Sequence, residues 1–394
     1  MSKLDVDRDI ERIREDFPIL EYKTWFATAG YGPLLLPVWE AVRACWGFRL
    51  HDSRVDQPDA KGEAGRLLKA DEDELCWITR VTQGLNIVSS MMELKRGENV
   101  VVTDLGYPSN IFVWLPFRKR GVEIRRLENR DGSITEADFE KLVDNDTRVV
   151  SISHTEWVTG ITYDLKRVAE IAHDNGAYLV VDAYQSVGAV DLDCHATGLD
   201  FLVTGSGKWL CCPTTSGIFY VRGDLADEFD PAYRYYGHVE EAFREGASWV
   251  RPPHDNVEDY DKPLVKGAEK FDRGCVGEDA LWGLHAALKY FNGLGIENIQ
   301  RRDRRLSGYL MDGLLDLGCE VYTPREPERR GGLVSYSAGS HEMNKKIHDA
   351  LMARNVLVFL RYSGGIGGIR AATHFFNTEE EIDRLLSIQK KLMK

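Results

Sequence analysis

Four short runs rich in Val and Ile constrain this chain more than any other feature. Residues 99–103, 149–153, 178–182 and 201–204 are each the length of one strand and apolar on both faces. Between the second and third lies 165–175, where Leu165, Val168, Ala169, Ile171 and Ala172 share one helical face. Gly176 then supplies a C-terminal cap. Strand, helix, strand in that order needs a crossover, so the strands pair in parallel within an α/β sheet covered on both faces.

The rest of the chain reads differently. Residues 229–270 carry Pro252, Pro253, many acids and aromatics without clean period, which predicts long loops. From about 283 the pattern becomes helical over 284–294 and 298–317, followed by short strands and a last helix from Thr378. That predicts a smaller α+β domain. The cluster Arg301, Arg302, Arg304 and Arg305 reads as a solvated helix face.

Composition narrows the partners. Fifty Lys+Arg against 63 Asp+Glu give a net charge of −13, which disfavours nucleic acid. No run of about 18 uncharged apolar residues exists, and the charged 1–17 segment lacks a signal-peptide core, so no membrane is expected. Seven cysteines are scattered without a Cys-x-x-Cys pair, which predicts reduced thiols, a cytoplasmic setting and no metal site. Cys211 and Cys212 read as small buried hydrophobes.

Two strand ends carry the chemistry. The run 178–181 ends in Asp182, and the run 201–204 leads through Gly205, Ser206 and Gly207 to Lys208. In a parallel sheet both fall on the edge where ligands bind. One chemistry needs a carboxylate and an amine together there. Pyridoxal 5′-phosphate is held as a Schiff base on a lysine, with a carboxylate keeping its pyridine nitrogen protonated. The remaining needs of that cofactor have candidates. Thr82, as N-cap of a helix beginning Thr82-Gln83-Gly84, offers free N–H groups to a phosphate. Tyr107 lies just past another strand end and can stack on a ring. Arg370 follows a glycine cluster and can grip a carboxylate in bidentate fashion. A nicotinamide oxidoreductase would need Gly-x-Gly-x-x-Gly after a first strand, and the cluster at 364–368 has neither that spacing nor that place. A scaffold without catalysis would have no use for Lys208, Asp182 and Arg370 together.

These residues resemble the class V aminotransferase family, the pyridoxal-phosphate branch that includes cysteine desulfurases, kynureninases and isopenicillin N epimerase-like proteins. The resemblance runs from Trp25 through Pro33 to His374 through Arg384. Its most specific pieces are Ser153-His154 to Thr159-Gly160, Ala172-His173 to Gly176-Ala177, Asp182-Ala183 to Gln185, and Ser206 through Leu210. It implies a fold-type I enzyme, a transferase or lyase, with a large, mainly parallel seven-stranded domain at 20–280 and a small α+β domain from 1–19 and 281–394. It also implies that Lys208 carries the cofactor and moves the substrate's α-proton, that Asp182 pairs with the ring nitrogen and that Gln185 bonds the ring hydroxyl. Tyr107 takes the stacking place, Thr82, Gln83 and Ser206 the phosphate, and Arg370 the carboxylate of an amino-acid-like substrate. The Arg273-Gly274 region would reach the partner's phosphate in a homodimer, where Cys275 replaces a common Thr among the cofactor contacts.

The departures bear on the reaction. Gly207 stands where desulfurases have a histidine and Trp157 where they commonly have Asn. The segment 361–370 holds no cysteine, although desulfurases place their sulfur acceptor there. A persulfide-forming desulfurase is therefore disfavoured. Amino transfer leads, with Cβ–S lyase or epimerase activity as the alternatives, since all begin with proton removal at Cα. The loop Tyr233 to His238 is expected to line the pocket.

Overall fold

The structure, a computed structural model, describes residues 4–51, 58–240, 263–272, 274 and 276–393. Its main sheet is built from β1 (Leu75–Ile78), β2 (Asn99–Thr103), β3 (Glu123–Leu127), β4 (Thr147–Ser153), β5 (Tyr178–Asp182), β6 (Phe201–Gly205) and β7 (Gly217–Val221). The seven strands lie side by side in the order β1-β7-β6-β5-β4-β2-β3. Neighbours from β6 to β3 pair in parallel, and β7 alone runs against the rest. This is the fold-type I arrangement expected of the chain.

Period two explains why these runs become central strands. Val101, Val150, Val181 and Leu202 pack into one core, while Val100, Val102, Val149, Val180 and Val203 pack into a second core on the other face. Two strands escaped the sequence reading. β3 is an edge strand whose Glu123, Arg125 and Arg126 leave it polar, and β7 follows a polar loop. The helix Leu165–Asp174 forms where expected: the Asp164 carboxylate accepts from Arg167 N at 3.2 Å, and Gly176 takes a φ of +72° beyond its end.

A second sheet holds β8 (Glu320–Val321), β9 (Leu333–Ser337), β10 (Phe359–Ser363) and β11 (Ile366–Ala372) in the antiparallel order β10-β11-β9-β8. The helices Ile296–Asp316, His341–Met352 and Glu379–Met393 pack around it, which matches the expected α+β character. The arginine cluster on the first of these helices is not a uniformly solvated face. Arg302 is buried and donates to the carbonyls of Phe375 and Asn377 and to Asp7, so it ties three chain segments together. Charge alone could not reveal that, because the carbonyls it serves come from 73 and 75 residues away.

The hairpin of β10 and β11 leans onto the C-terminal edge of the main sheet. Ser363 Oγ donates to the Asp104 carbonyl at 3.0 Å, and Asn129 Nδ2 donates to the Gly364 carbonyl at 2.9 Å. The second sheet is thereby held against the strand ends that form the site.

Candidate active site

At the C-terminal ends of β4, β5 and β6 opens a cavity of about 280 Å3. Among the residues lining it are Arg80, Thr82, Tyr107, Trp157, Asp182, Tyr184, Gln185 and Lys208. Asp182 closes β5 at the cavity floor, where its Oδ1 accepts from the Tyr184 amide at 2.9 Å. Its Oδ2 receives a long contact from Asn110 Nδ2 at 3.4 Å. Burial raises the Asp182 carboxyl above its ordinary value, against the pull of its hydrogen bonds and of Lys208.

Lys208 leaves the turn after β6 and directs its amine into the same cavity. Among the described residues it makes no salt bridge; its Nζ sits 3.9 Å from the Tyr184 ring centroid and 5.7 Å from that of Tyr107. Desolvation pulls its pKa down to about 7, helped by the nearby Arg370 and Arg361 and opposed by Asp182. A lysine held there is in part a free amine at neutral pH, the form able to attack a carbonyl or accept a proton. The turn itself depends on glycine. A Cβ on Gly207 would lie 2.4 Å from Thr214 Cγ2, and one on Gly32 would lie 2.1 Å from the Lys208 carbonyl oxygen. Thr214 thus occupies the space that a side chain at 207 would need.

The other expected residues divide. Tyr107 and Trp157 both line the cavity and meet edge to face at 5.6 Å. Gln185 lines it too, but its Oε1 accepts from Trp209 Nε1 and its Nε2 donates to the Ala29 carbonyl, each at 2.9 Å. One amide proton of Gln185 is left for a ligand. Arg370 is buried behind Trp157, whose carbonyl accepts from its Nη1 at 2.6 Å, while its Nε has no partner. Burial, reinforced by the Arg361 charge, lowers the Arg370 pKa to about 9.

Several expectations need correction. Thr82 is the second residue of the helix Val81–Met91, and the N-cap is Arg80, whose extended backbone has φ −155° and ψ 152°. The Thr82 hydroxyl pairs with Ser109 Oγ at 2.8 Å. Gln83 turns away from the cavity, its Oε1 accepting from both N and Oγ1 of Thr79. Ser206 is fully buried and engaged with Ser216 and the Pro213 carbonyl, so its hydroxyl does not face the cavity. Tyr235 and His238 pack on each other at 5.6 Å, His238 Nε2 donates to the Asp272 carbonyl, and neither lines the cavity. Cys275, Arg273 and the Tyr236 side chain lie outside the described residues. Arg80, Tyr184 and Thr214 were missed as lining residues. Arg80 had a signal, since a cation opening a helix beside a turn expected to take a phosphate would serve the same anion.

The cavity suits pyridoxal phosphate on its own terms. An amine with no salt bridge among the described residues shares it with a carboxylate, and Trp157, which lines it, has its buried Nε1 without a partner; Arg370 and Asn110 do not line it, though Arg370 Nε and Asn110 Oδ1 are also buried without partners. Such orphaned atoms mark places a ligand can satisfy. The aminotransferase class-V family model matches residues 58–385. The chain belongs to the class-V aminotransferases. It is accordingly a pyridoxal-phosphate-dependent enzyme. Across 95% of its length this class-V chain is 28% identical to a probable cysteine desulfurase of Methanothermobacter thermautotrophicus, covering 96% of that relative. Its fold matches the apo structure of a cysteine desulfurase from Thermococcus onnurineus with a TM-score of 0.84 and 23% identity, over 97% of this chain and 98% of that one. It also matches the cystine C–S lyase C-DES in complex with cysteine persulfide, with a TM-score of 0.83 and 22% identity, over 95% of this chain and 99% of the other. Among the described residues no helix is long and apolar enough to cross a membrane.

Proposed function

We propose that this class-V enzyme is a Cβ–S lyase that cleaves a cysteine-derived amino acid and lets the sulfur leave with the product. The observation that carries the reading is the treatment of cysteine. The segment 361–370 holds none, and the six described cysteines are all buried as free thiols. Burial pushes Cys212 up to about 12 and raises Cys211, which keeps both from acting as thiolates. With no exposed thiol among the described residues to take sulfur from the substrate, the sulfur departs as a released thiol or persulfide. The relatives named cysteine desulfurases favour chemistry at a C–S bond, which moves lyase activity ahead of the amino transfer that the sequence put first.

Bound pyridoxal phosphate supplies an electron sink at the substrate's Cα. This chain's residues do the rest. Arg370 receives the substrate carboxylate with the donors left free beside Trp157, and Asp182 holds the ring nitrogen's proton. Lys208 Nζ takes the proton from Cα, and the electron pair freed there expels the sulfur as the Cβ–S bond breaks. The thiolate takes up a proton and leaves; water turns the remaining fragment into pyruvate and ammonium, so the sum is one water consumed per bond cleaved. Arg80 and Thr82, rather than Ser206, are proposed for the cofactor phosphate, and Tyr107 for stacking on the ring.

The enzyme is further proposed to be a cytoplasmic homodimer. Trp39, Trp46 and Leu50 recur on one side of the helix Leu36–His51 and are 48%, 42% and 70% exposed, an apolar face suited to a second copy. Light scattering on the holoenzyme tests this; a monomer at micromolar concentration refutes it. For the reaction, cystine, cysteine conjugates and sulfur-free amino acids are supplied in turn. Equal amounts of thiol or persulfide, pyruvate and ammonia support the lyase. A 2-oxo acid that retains its sulfur, without thiol release, would return the assignment to amino transfer.

A further inference from the structure

Asp182 is not the only carboxyl buried at the floor of the site. Glu156 follows β4 and has no exposed surface. Its Oε1 accepts from Thr103 Oγ1 at 2.6 Å and from the Tyr163 hydroxyl at 3.1 Å, while its Oε2 has no hydrogen-bond partner among the described residues. Ser153 also interacts with this carboxyl. Ser153 Oγ accepts from Asn110 Nδ2 at 3.2 Å, and the same amide reaches Asp182 Oδ2 at 3.4 Å. A polar chain therefore runs from Asp182 through Asn110 and Ser153 to Glu156, across the ends of β2, β4 and β5.

We propose that Glu156 is a positioning residue for Asp182, bracing Ser153 and Asn110 at the ring-nitrogen end of the site. This rests on the reading of Asp182 as the ring-nitrogen partner. Glu156 does not line the cavity, so it acts through its neighbours. Among the described residues no cation pairs with it. Tyr163 faces it from the chain that follows, Asp182 from β5, and Glu136 and Arg329 act only on Tyr163 from behind. Burial accordingly pushes the Glu156 carboxyl up to about 8, with Asp182 adding to the rise. A carboxyl raised in this way can hold its proton and serve as a hydrogen-bonding strut beside Ser153.

The test uses Glu156→Gln, which keeps the size and removes the titration, and Glu156→Asp, which keeps the acid and shortens it. In the apo protein Glu156 holds a proton that the unfolded chain has lost between its ordinary 4.5 and about 8. The native state then binds more protons than the unfolded one, so stability falls as pH rises through that window. Melting series across the window should show that slope in the native protein, and Glu156→Gln should lack about one proton of it. Reconstituted with pyridoxal phosphate, the native protein should titrate its near-visible absorbance with a step near the Glu156 value of about 8. Glu156→Gln should lose that step, Glu156→Asp should move it, and Ser153→Ala should weaken it. A glutamine variant that melts lower at every pH with an unchanged slope and an unchanged titration would reduce Glu156 to packing and overturn the proposal. Should Glu156→Gln fail to fold, a Glu156→Asp variant with the native absorbance titration overturns it equally. If pyridoxal phosphate leaves Asp182→Asn and the native protein with the same spectrum, the Asp182 reading falls instead, whatever Glu156 does to the melting slope.

Discussion

The floor of the cavity and its rim are built on different terms. Asp182, Asn110 and Ser153 form the floor at or near strand ends, nearly enclosed and joined by hydrogen bonds to one another. Around it, as the rim, stand three cations on long side chains: Arg80 lines the cavity from a helix start, and Arg361 and Arg370 act on Lys208 from a hairpin of the other sheet without lining the cavity. Arg80 is exposed, and the side-chain hydrogen bond of Arg361 goes to the neighbouring Leu360 carbonyl. The floor is preorganised by backbone geometry, which suits it to the electronic part of a reaction. The rim depends on how two sheets meet, which suits it to choosing what enters.

The comparison can be broken most severely from the floor side. Lys208→Met should remove product formation by about 10^2- to 10^4-fold or more, the range of a lost general base, and should abolish the near-visible band of bound cofactor. It also has a signature in the apo protein. Because the Lys208 pKa falls from 10.5 to about 7 on folding, the unfolded chain binds the extra proton between those values. Native stability therefore rises with pH across that window, and the methionine variant should lack the rise when both are melted side by side. Asp182→Asn should follow, lowering turnover by about 10^2- to 10^3-fold with the cofactor still bound, as expected for a lost electrostatic contact. Wild-type turnover in either variant would show that the floor is not where the chemistry is supported.

Rim substitutions should be milder and should fall on binding. Arg370→Ala removes a charge-assisted contact worth about 1.5–3 kcal/mol, so KM for the amino acid should rise by about 10- to 150-fold with a smaller change in kcat. Arg370→Lys should recover only part of this, because a point charge cannot repeat the planar fork. A loss of kcat equal to that of Asp182→Asn would erase the distinction between floor and rim.

What could be read from the chain follows the same division. Lys208 and Asp182 were legible as neighbours because apolar runs of strand length announce their own ends, and parallel pairing brings those ends to one edge. The helix Leu165–Asp174 was legible for the same reason, since its pattern and cap are local. Hydroxyls and amides were not. Ser206 and Gln83 carry groups fit for a phosphate, yet the loop after Ser206 brought it the Pro213 carbonyl, and the turn into the helix gave Gln83 the Thr79 amide four residues back. Glu156 carried no signal in the sequence, and it is burial by the fold that raises its carboxyl, against the hydrogen bonds from Thr103 and Tyr163. Arg302 and the edge strand β3 escaped because their partners are distant in sequence, or because an edge needs no apolar pattern. Local periodicity finds scaffolds; the choice among competing polar partners is made by the fold.

The smallest effect should come from Arg80, and it tests whether the rim discriminates at all. Its side chain lines the cavity beside Thr82 and Ser109 but is open to solvent, so its attraction for a phosphate is screened. An exposed ion pair is worth about 0.2–1 kcal/mol, and Arg80→Ala should weaken cofactor binding by no more than about fivefold. Absorbance titration of the apo protein with pyridoxal phosphate and with phosphate-free pyridoxal separates the causes. Arg80→Ala should weaken the first and leave the second unchanged, and added salt should shrink the gap between native and variant. Equal weakening of both would mean that Arg80 shapes the helix start rather than meeting the phosphate. The anion would then rest on the free N–H groups of the helix Val81–Met91 and the Thr82 hydroxyl, as local a device as the strand ends of the floor.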